Sequence, residues 1–337
     1  MMPAMEAMIP CPLRSEPNRR LSVAPMMNHT DRHFRTLLRL ISRHVMLYTE
    51  MITTGALLHG PAERRLAHAA AERPLGLQVG GSDPEALARC AQLAEATGFN
   101  EVNLNVGCPS DRVQEARFGA CLMAEPNLVA ECIAAMAGAV TIPVTVKTRI
   151  GIDDRDRYED LAGFISTVRA AGCNTFVIHA RKAWLSGLSP RENRHLPPLQ
   201  YTTVYQLKRD FPDLEIILNG GVTSLDEVAA HLRHVDGVMI GRAACSNPFL
   251  LQDADRRLFG DLAPSRRRQE VMRRYVDYAA EQVAAGVNVH HVARHTTGLF
   301  QGLPGARAFR RHLAEQSCRP GAGVSCLREA MELVAAA

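Results

Sequence analysis

The sequence predicts an α/β protein with two parts, a (β/α)8 TIM barrel followed by a small all-α helical-bundle domain. Between residues 21 and 245, eight short β-rich runs alternate with amphipathic helical patterns, which is typical of a closed parallel barrel. The chain of 337 residues is too long for one average domain and suits a barrel of about 250 residues with an appendage. No GxGxxG follows a strand and no GxxxxGK(S/T) is present, so neither a Rossmann nor a P-loop fold is indicated.

The predicted strands are short runs rich in aliphatic and β-branched residues. They cover residues 21–24, 45–49, 75–79, 102–105, 144–148, 176–179, 215–219 and 237–240. Helices are expected between these runs. The segment 84–97 has Pro84 in its first turn and Gly98 after its end, and the segment 225–233 follows the candidate cap Ser224.

Charge and pattern divide the chain into three expected regions: a disordered tail over residues 1–20, the barrel over 21–258 and a helical domain over 259–337. The helical patterns of the last region cover residues 265–285, 292–299, 306–314 and 327–336. Residues 21–255 carry a net charge of −3, whereas residues 256–337 carry 13 basic and 7 acidic side chains, a net +6. A weakly acidic body joined to a basic domain favours a polyanionic partner held by the second part.

The composition, 47% hydrophobic and 22% charged, is that of an ordinary globular protein. The first twenty residues contain no continuous apolar run, so we expect neither a signal peptide nor a membrane anchor. Nine cysteines without a CxxC pair predict reduced thiols and a cytoplasmic location. His291 and His295 have the spacing of a zinc-binding pair, but a third ligand is missing, so no metal site is predicted.

Polar residues stand at the ends of the predicted strands, where barrel enzymes keep their chemistry. They are Met26, Gln78, Asn105, Cys108, Lys147, His179, Asn219 with Gly220 and Gly221, and Gly241 with Arg242. The loops after strands seven and eight of such barrels commonly bind phosphate. The two glycine turns and the arginine at those positions fit this use, because bare backbone and a guanidinium both approach anions closely.

Two of these residues carry the strongest chemical signal. Cys108 follows a strand in a Gly-Cys-Pro turn, so it is presented rather than packed, although free cysteines are more often buried. Lys147 ends a β-branched strand above a barrel interior and needs an anion there. The alternatives remain open for the others: His179 as a structural histidine, Arg242 as a rim residue and the Asn219 segment as an ordinary turn.

Together these motifs resemble the tRNA-dihydrouridine synthases. The shared segments are SVAPM (22–26), LYTEM (47–51), QVGGS (78–82), NLNVGCPS (103–110), VKTR (146–149), IHARK (178–182), NGG (219–221) and GR (241–242). The segments AWLSGLSPREN (183–193) and LFQGLPGAR (299–307) are similar to the A branch of that family. One departure is Met-Asn-His at 27–29, where an acidic residue is expected near position 28.

The resemblance implies an FMN barrel that uses NADPH to reduce D-loop uridines of tRNA, at positions 20 and 20a, to 5,6-dihydrouridine. Hydride passes from flavin N5 to uracil C6, and Cys108 donates the proton to C5 as a general acid. The implied cofactor-binding residues are Pro25, Met26, Met27, Gln78, Lys147, His179, Asn219, Gly220, Gly221, Gly241 and Arg242. The implied substrate-binding residues are Asn105, Lys182, Arg194, Arg307 and Arg310. We expect a monomer with tRNA as partner and no membrane association.

Two other functions stay open at this point. One is a flavin barrel that acts on a small pyrimidine, against which the basic tail domain argues. The other is a flavin-containing tRNA-folding factor with little turnover, against which the Asn105, Cys108 and Lys147 set argues. In the tail domain, Arg307, Arg310 and Arg311 share one helix face and are candidates for phosphate contact, unless that face is merely solvated.

Overall fold

The computed structural model describes residues 17–334 and contains one parallel β-sheet that closes on itself. Its strands are β1 (Leu21–Val23), β2 (Leu47–Tyr48), β3 (Ile52–Thr53), β4 (Leu75–Gly80), β5 (Glu101–Val106), β6 (Val144–Arg149), β7 (Thr175–His179), β8 (Glu215–Asn219) and β9 (Gly237–Ile240). The hydrogen-bonded order is β1-β9-β8-β7-β6-β5-β4-β2, and a parallel bridge between Ser22 and Met46 joins the two ends. The predicted TIM barrel is confirmed.

Each of the eight predicted runs contains a strand, and the second run differs from its prediction. Its regular part is only Leu47–Tyr48, and the chain pairs with β4 again further on, as β3, where Ile52 lies opposite Val79. The break between the two pairings carries Glu50, whose carboxylate accepts from the backbone N–H of Asn28. A side-chain contact to the first loop therefore lies at this break in the strand pairing.

Helices surround the barrel and continue beyond it. They are α1 (Arg32–Ile41), α2 (Thr54–Leu58), α3 (Ala62–Leu66), α4 (Pro84–Thr97), α5 (Asp111–Glu115), α6 (Pro126–Ala139), α7 (Tyr158–Ala170), α8 (Tyr201–Asp210), α9 (Leu225–His231), α10 (Arg242–Ser246), α11 (Ala254–Phe259), α12 (Arg268–Ala284), α13 (Val289–Ala293), α14 (Ala306–Gln316) and α15 (Ser325–Glu332). The two predicted helix boundaries, at Gly98 and at Ser224, are confirmed. Gly98 closes α4 in the left-handed region, and Ser224 caps α9 by accepting from the Glu227 N–H.

The last four helices form the helical region that the sequence predicts, with one difference. Where residues 292–299 were expected to be one helix, the structure has α13 and then a 3-10 turn, Arg294–Gly298. This region packs on the barrel through α12, whose Tyr275 donates to the carbonyl of His33 on α1 at 3.3 Å. Buried side chains run without interruption from the barrel into this region, so a domain boundary at 258/259 remains a prediction.

A disordered tail was expected over residues 1–20, of which residues 1–16 lie outside the described part of the chain. Beyond residue 16, Arg19 is 2% exposed at the floor of the barrel, where its guanidinium pairs with Glu101 on β5 and Glu215 on β8. The helix expected over 327–336 is α15, which begins at Ser325 and ends at Glu332, and residues 335–336 lie outside the described part of the chain.

The interior of the barrel has two unlike sides. One side is apolar and consists of Ala24, Met46, Tyr48, Val177, Ile217 and Met239, with Met26 against it. The other side is polar and consists of Gln78, Glu101, Asn103 and Thr145, all nearly or fully buried. Because side chains of a strand alternate between its two faces, the same inner face that carries Glu101 and Asn103 carries Asn105 at its upper end. The strand pattern thus leads directly to the mouth of the barrel.

Candidate active site

Six of the predicted site residues meet at the carboxyl ends of successive strands. They are Gln78 on β4, Asn105 on β5 with Cys108 just beyond it, Lys147 on β6, His179 on β7 and Asn219 on β8. The strand register places them side by side, since Asn105 lies opposite Lys147 and His179 opposite Asn219. Side chains at such neighbouring positions share one face of the sheet. The structure therefore assembles a single cluster at the mouth of the barrel.

The turn that carries Cys108 is fixed by the side chain of Asn105. Its Oδ1 accepts from the backbone N–H groups of Gly107 at 2.9 Å and Cys108 at 3.1 Å. The carbonyl of Cys108 accepts in turn from the N–H of Ala120 at 2.9 Å. Unlike Cys90 and Cys173, which are fully buried, the Cys108 thiol is partly exposed. The structure thus presents this thiol in an ordered turn.

Arg149, at the end of β6, supports the same turn and was missed as a site residue. Its Nε donates to the carbonyl of Gly107 at 2.9 Å, and its Nη1 donates to the carbonyls of Lys182 at 3.0 Å and Asn193 at 3.1 Å. Arg149 is 3% exposed, and burial lowers its pKa to about 10. One guanidinium therefore ties the Cys108 turn to the loop after β7. In the sequence, the position of an arginine at the end of a buried strand was the feature that could have identified it.

Lys147 carries a positive charge into the mouth of the barrel. Its Nζ donates to Asn219 Oδ1 at 3.0 Å, and Asn219 is oriented by its own donation to the carbonyl of Met239 at 2.8 Å. Burial, followed by the neighbouring charge of Arg149, lowers the pKa of Lys147 to about 7. No carboxylate is among the described groups that shift this pKa. The ammonium therefore sits where an anionic ligand would stabilise it.

His179 lies in the same positive field. Burial lowers its pKa well below the usual value, and the charges of Arg149, Lys147, Arg181 and Arg242 act in the same direction. The imidazole is thus neutral and serves as a hydrogen-bonding group at neutral pH. Four cations act on this one half-buried ring, an excess of positive charge that favours an anionic ligand.

The turn after β8 requires its glycines. Gly220 has φ of 120° and Gly221 has φ of 74°, values that side-chain-bearing residues rarely adopt. A Cβ on Gly220 would also lie 2.8 Å from His179 Cδ2, and one on Gly221 would lie 2.7 Å from the hydroxyl of Tyr201. The bare backbone thus packs directly beside His179.

The turn after β9 places Arg242 at the start of α10, on the exposed rim. Its guanidinium hydrogen-bonds to His195 and donates to the carbonyl of Arg194 at 3.3 Å. Gly241 precedes it, and a Cβ there would meet open space, with Ala24 and Met26 no nearer than 4.0 Å. This opening beside a cation suits the phosphate position predicted for the last two loops.

The first loop, which follows β1, borders the same opening. Met26 contacts Cys245 on α10, sulfur to sulfur, at 3.8 Å, while Met27 is 55% exposed. Pro25 is partly exposed between β1 and these two methionines. Asn28 has a left-handed backbone and donates its N–H to Glu50. The backbone at position 28, where an acidic residue was expected, is thus in contact with the carboxylate of Glu50.

The two predicted substrate contacts of the loop after β7 differ in their freedom. Lys182 is engaged, because its Nζ pairs with Asp156 at 2.7 Å and lies 4.1 Å from the centre of the Trp184 ring. The side chain of Arg194 is largely exposed and lies within electrostatic range of Cys108. Arg194 is therefore an exposed cation near the Cys108 turn.

Arg307 and Arg310, in contrast, lie apart from the mouth cluster, on α14. They line a cavity of about 660 Å³ whose opposite wall is formed by Cys245 and Ser246 of α10. The carbonyl oxygens of those two residues lie close to Gly298 of the helical region. A Cβ on Gly298 would lie 2.5 Å from the Ser246 oxygen. The helical region thus contacts the same short helix that begins at Arg242.

Two clusters of possible metal ligands have other roles in the described chain. His295 is bonded to Asp31 at 2.9 Å, which separates it from the exposed His291. His44, Asp255 and Asp261 lie within 4.8 Å of one another. However, Arg43 pairs with Asp261 at 3.0 Å and its backbone N–H donates to Asp255 at 2.8 Å.

No helix of the described residues is long and apolar enough to cross a membrane.

The fold is a TIM barrel, and its mouth brings the thiol of Cys108 together with the cations Lys147 and Arg149. Residues 22–334 match the family model described as dihydrouridine synthase (Dus). The chain therefore belongs to the dihydrouridine synthase family, and it is an oxidoreductase that acts on a CH–CH bond.

Curated relatives match along nearly the whole chain and carry the name tRNA-dihydrouridine(20/20a) synthase. The protein of Vibrio parahaemolyticus is 57% identical over 313 residues, 93% of this chain and 96% of that protein. The protein of Escherichia coli (strain K12) is 56% identical over 317 residues, 94% of this chain and 92% of that protein. A solved 2-naphthoyl-CoA reductase complex shares the fold at 12% identity, with a TM-score of 0.51 over 70% of this chain and 49% of that one.

Proposed function

We propose that this protein reduces uridines 20 and 20a in the D-loop of tRNA to 5,6-dihydrouridine, with FMN as bound cofactor and NADPH as reductant. The names of the relatives supply the substrate. The observation that carries the cofactor is the cluster of cationic groups at the mouth, where Lys147 donates to the neutral amide of Asn219 and no carboxylate is among the groups that shift its pKa. FMN brings two negative centres to such a site, its phosphate and, when reduced, its ring.

The residues around the mouth suit both ends of this cofactor. The phosphate end fits the two glycine turns, Gly220 with Gly221 and Gly241 with Arg242, of which the second borders an opening beside a guanidinium. The ring end fits the cluster nearer the barrel axis. That part consists of Pro25, Met26, Met27, Gln78, Lys147, His179 and Asn219. When bound and reduced, FMN supplies a hydride for transfer to C6 of a uracil.

Cys108 then supplies the proton that C5 of the uracil requires. General-acid catalysis needs the thiol form, held at a defined place. Asn105 and Arg149 provide that placement, since both hydrogen-bond to the backbone of the turn. The contacts of Asn105 favour a role in orienting the thiol, beside the substrate binding that the resemblance implies. Its Oδ1 is occupied by the backbone of the turn.

The tRNA is held by the helical region and the rim of the barrel. A target uracil cannot reach the mouth while it is stacked in folded RNA, so the base must be extruded and the backbone held elsewhere. Arg194 borders the mouth, and Arg307 and Arg310 line the cavity against α10. The net charge of +6 on residues 256–337 favours the phosphates of the same molecule. We expect the protein to act as a monomer, with Lys182 contacting substrate after release from Asp156.

The decisive experiment is a map of dihydrouridine in tRNA from cells with and without this protein. Loss of the modified base at positions 20 and 20a, restored by the parental gene and not by Cys108→Ala, supports the proposal. The purified protein should be yellow and should release FMN on heating. Unchanged dihydrouridine at both positions would contradict the substrate, and a colourless protein that takes up no FMN would contradict the cofactor.

A further inference from the structure

A continuous chain of hydrogen bonds runs through the polar side of the barrel, from its floor to the Cys108 turn. At the floor, Arg19 Nε donates to Glu101 Oε2 at 2.5 Å, and Tyr48 donates to Glu101 Oε1 at 2.7 Å. Thr145 Oγ1 also donates to Glu101 Oε1, at 2.6 Å. Above it, Asn103 Nδ2 donates to Thr145 Oγ1 at 2.8 Å.

The upper half of the chain reaches the mouth. Gln78 Nε2 donates to Asn103 Oδ1 at 2.8 Å, and Asn105 Nδ2 lies 3.5 Å from Gln78 Oε1. Glu101, Asn103 and Thr145 are 0% exposed, so water cannot supply alternative partners to them. Each buried polar atom that lost its partner here would remain unsatisfied, at a cost in free energy.

The direction of these bonds is fixed by chemistry at the lower end. A carboxylate paired with a guanidinium only accepts, so the Thr145 hydroxyl must donate to Glu101 and is left to accept from Asn103. The Asn103 atom that meets Thr145 is therefore its NH2 group, and its oxygen meets Gln78. It follows that Gln78 turns its NH2 group toward the floor and its oxygen toward the mouth.

The upper end requires the same direction independently. Backbone N–H groups only donate, so the Asn105 atom that meets Gly107 and Cys108 must be its oxygen. The NH2 group of Asn105 then lies 2.8 Å from the sulfur of Met51 and 3.5 Å from the Gln78 oxygen, so the group it faces on Gln78 is an acceptor. Two anchors at opposite ends of the barrel thus agree on the orientation of every amide between them.

We propose that Glu101, Asn103 and Thr145 are positioning residues, which hold the amide of Gln78 so that its oxygen, and not its NH2 group, faces the cofactor. The inference rests on the proposed function, because the group to be met is the flavin ring. Amide groups flip readily when their partners do not distinguish the two ends, and this chain removes that freedom. A carboxylate at the floor of the barrel therefore sets which hydrogen-bonding group the ring encounters at the mouth.

Thr145→Val tests the proposal, because valine keeps the volume of the side chain and removes the hydroxyl that donates to Glu101 and accepts from Asn103. The matched control is Thr148→Val on the same strand, where the lost hydroxyl is also 0% exposed but donates only to the carbonyl of Val106 at 3.2 Å. The probe is FMN itself, titrated into each flavin-free protein by fluorescence quenching. Thermal unfolding of the same samples reports stability.

We expect Thr145→Val to raise the Kd for FMN about tenfold, the loss of one hydrogen bond, and Thr148→Val to leave it within about twofold. Thr145→Ser, which keeps the hydroxyl, should restore the parental Kd. A merely structural role would lower the unfolding temperature of both valine variants and leave both Kd values alike. If the valine variant does not fold, Thr145→Cys carries the test, because a thiol fills the space and hydrogen-bonds weakly.

The outcomes separate this inference from the proposed function. A parental protein that binds FMN, together with a Thr145→Val variant of unchanged Kd, overturns the positioning role alone. A parental protein that takes up no FMN overturns the cofactor and this inference with it. A raised Kd in Thr145→Val that Thr145→Ser does not restore also overturns the inference, since the hydroxyl would then not be the cause.

Discussion

The floor and the mouth of the barrel hold cations in opposite ways. At the floor, Arg19 is enclosed by Glu101 and Glu215, and both carboxylates pair with it. At the mouth, Lys147 has an amide as its hydrogen-bond partner, and Arg149 bonds to backbone carbonyls. The floor therefore pairs its cation with carboxylates of the protein, whereas the hydrogen-bond partners of these two cations at the mouth are neutral groups. Removing one partner of a buried ion pair destabilises a fold, and buried charge without an opposite charge beside it is a candidate binding site.

The largest expected effect is chemical and belongs to the mouth. Cys108→Ala should slow uridine reduction in tRNA by about 10² to 10⁴, because a general acid is lost, and leave NADPH oxidation nearly unchanged. The matched control at the floor is Cys173→Ala, a fully buried thiol that donates to the carbonyl of Thr175. It should lower stability without slowing the reaction. Parental rates of tRNA reduction by Cys108→Ala would exclude this thiol as the proton donor.

At the floor, the corresponding change acts on stability. Arg19→Ala leaves the carboxylate of Glu101 buried without its guanidinium, which should lower the free energy of unfolding by about 3 to 5 kcal/mol. Urea denaturation of the flavin-free protein measures this. The comparison variant is Arg20→Ala, one residue along, whose side chain is exposed. Equal midpoints for the two variants would mean that the floor network contributes little to the fold.

A smaller effect is expected on cofactor affinity at the mouth. Lys147→Ala and Arg242→Ala should each weaken FMN binding roughly tenfold to a hundredfold, because each loses one charge-assisted contact worth about 1.5 to 3 kcal/mol. Arg257→Ala, which removes an ion pair with Asp226, serves as a control of equal charge change. Titration of FMN into the flavin-free variants gives the affinities. Parental affinity in both mouth variants would assign their charges to another ligand.

The pH dependence of stability sharpens the contrast further. The pKa of Lys147 is lowered to about 7 in the folded protein, so between pH 7 and the unfolded value near 10.5 the unfolded chain binds more protons. The free energy of unfolding of the flavin-free protein should therefore rise with pH in this window, by up to about 1 kcal/mol per pH unit. Lys147→Met should remove that slope. Parallel curves for the two proteins would indicate an ordinary, solvated lysine.

The smallest effect concerns the helical region. Arg307→Ala combined with Arg310→Ala should weaken tRNA binding and lower its salt dependence, by somewhat under about 1 in the slope for each lost phosphate contact. Flavin reduction by NADPH should not change. The control is Arg273→Ala with Arg274→Ala on α12, an exposed pair of the same charge. A tRNA affinity and slope equal to those of the parent would show that the α14 arginines form a solvated face.

The sequence predicts the barrel and its mouth well, because both depend on local patterns. Strands of a parallel barrel end at one face, so a polar residue at each strand end, such as Lys147 or Asn219, indicates the site without knowledge of the fold's details. The hydrogen-bond partners of these residues were harder to predict from the sequence. Arg149 acts on Gly107 and on Asn193, which are far apart in sequence.

The polar chain could have been predicted in part. A period of two along β5 places Glu101, Asn103 and Asn105 on one face, and three polar residues facing a barrel interior need partners. Their partner Thr145 has no such signal, because threonine is a common strand residue on either face. The contact between Asn28 and Glu50 was also beyond reach, since it depends on a left-handed backbone at a residue other than glycine.

Asp31 decides whether the barrel can be cut free from the helices that follow it. Its Oδ1 caps α1 by accepting from the N–H groups of His33 and Phe34, and its Oδ2 bonds to Arg294 at 2.6 Å and to His295 at 2.9 Å. Burial opposes ionisation, but the bonds from His295, Phe34 and Arg294 hold the pKa of this carboxyl well below its usual value. A fragment ending near residue 258 would keep the cap and lose both outer partners. The barrel and the helical region therefore share this carboxylate. A helical region grafted from another protein would need an arginine and a histidine that reach Asp31 in the same way.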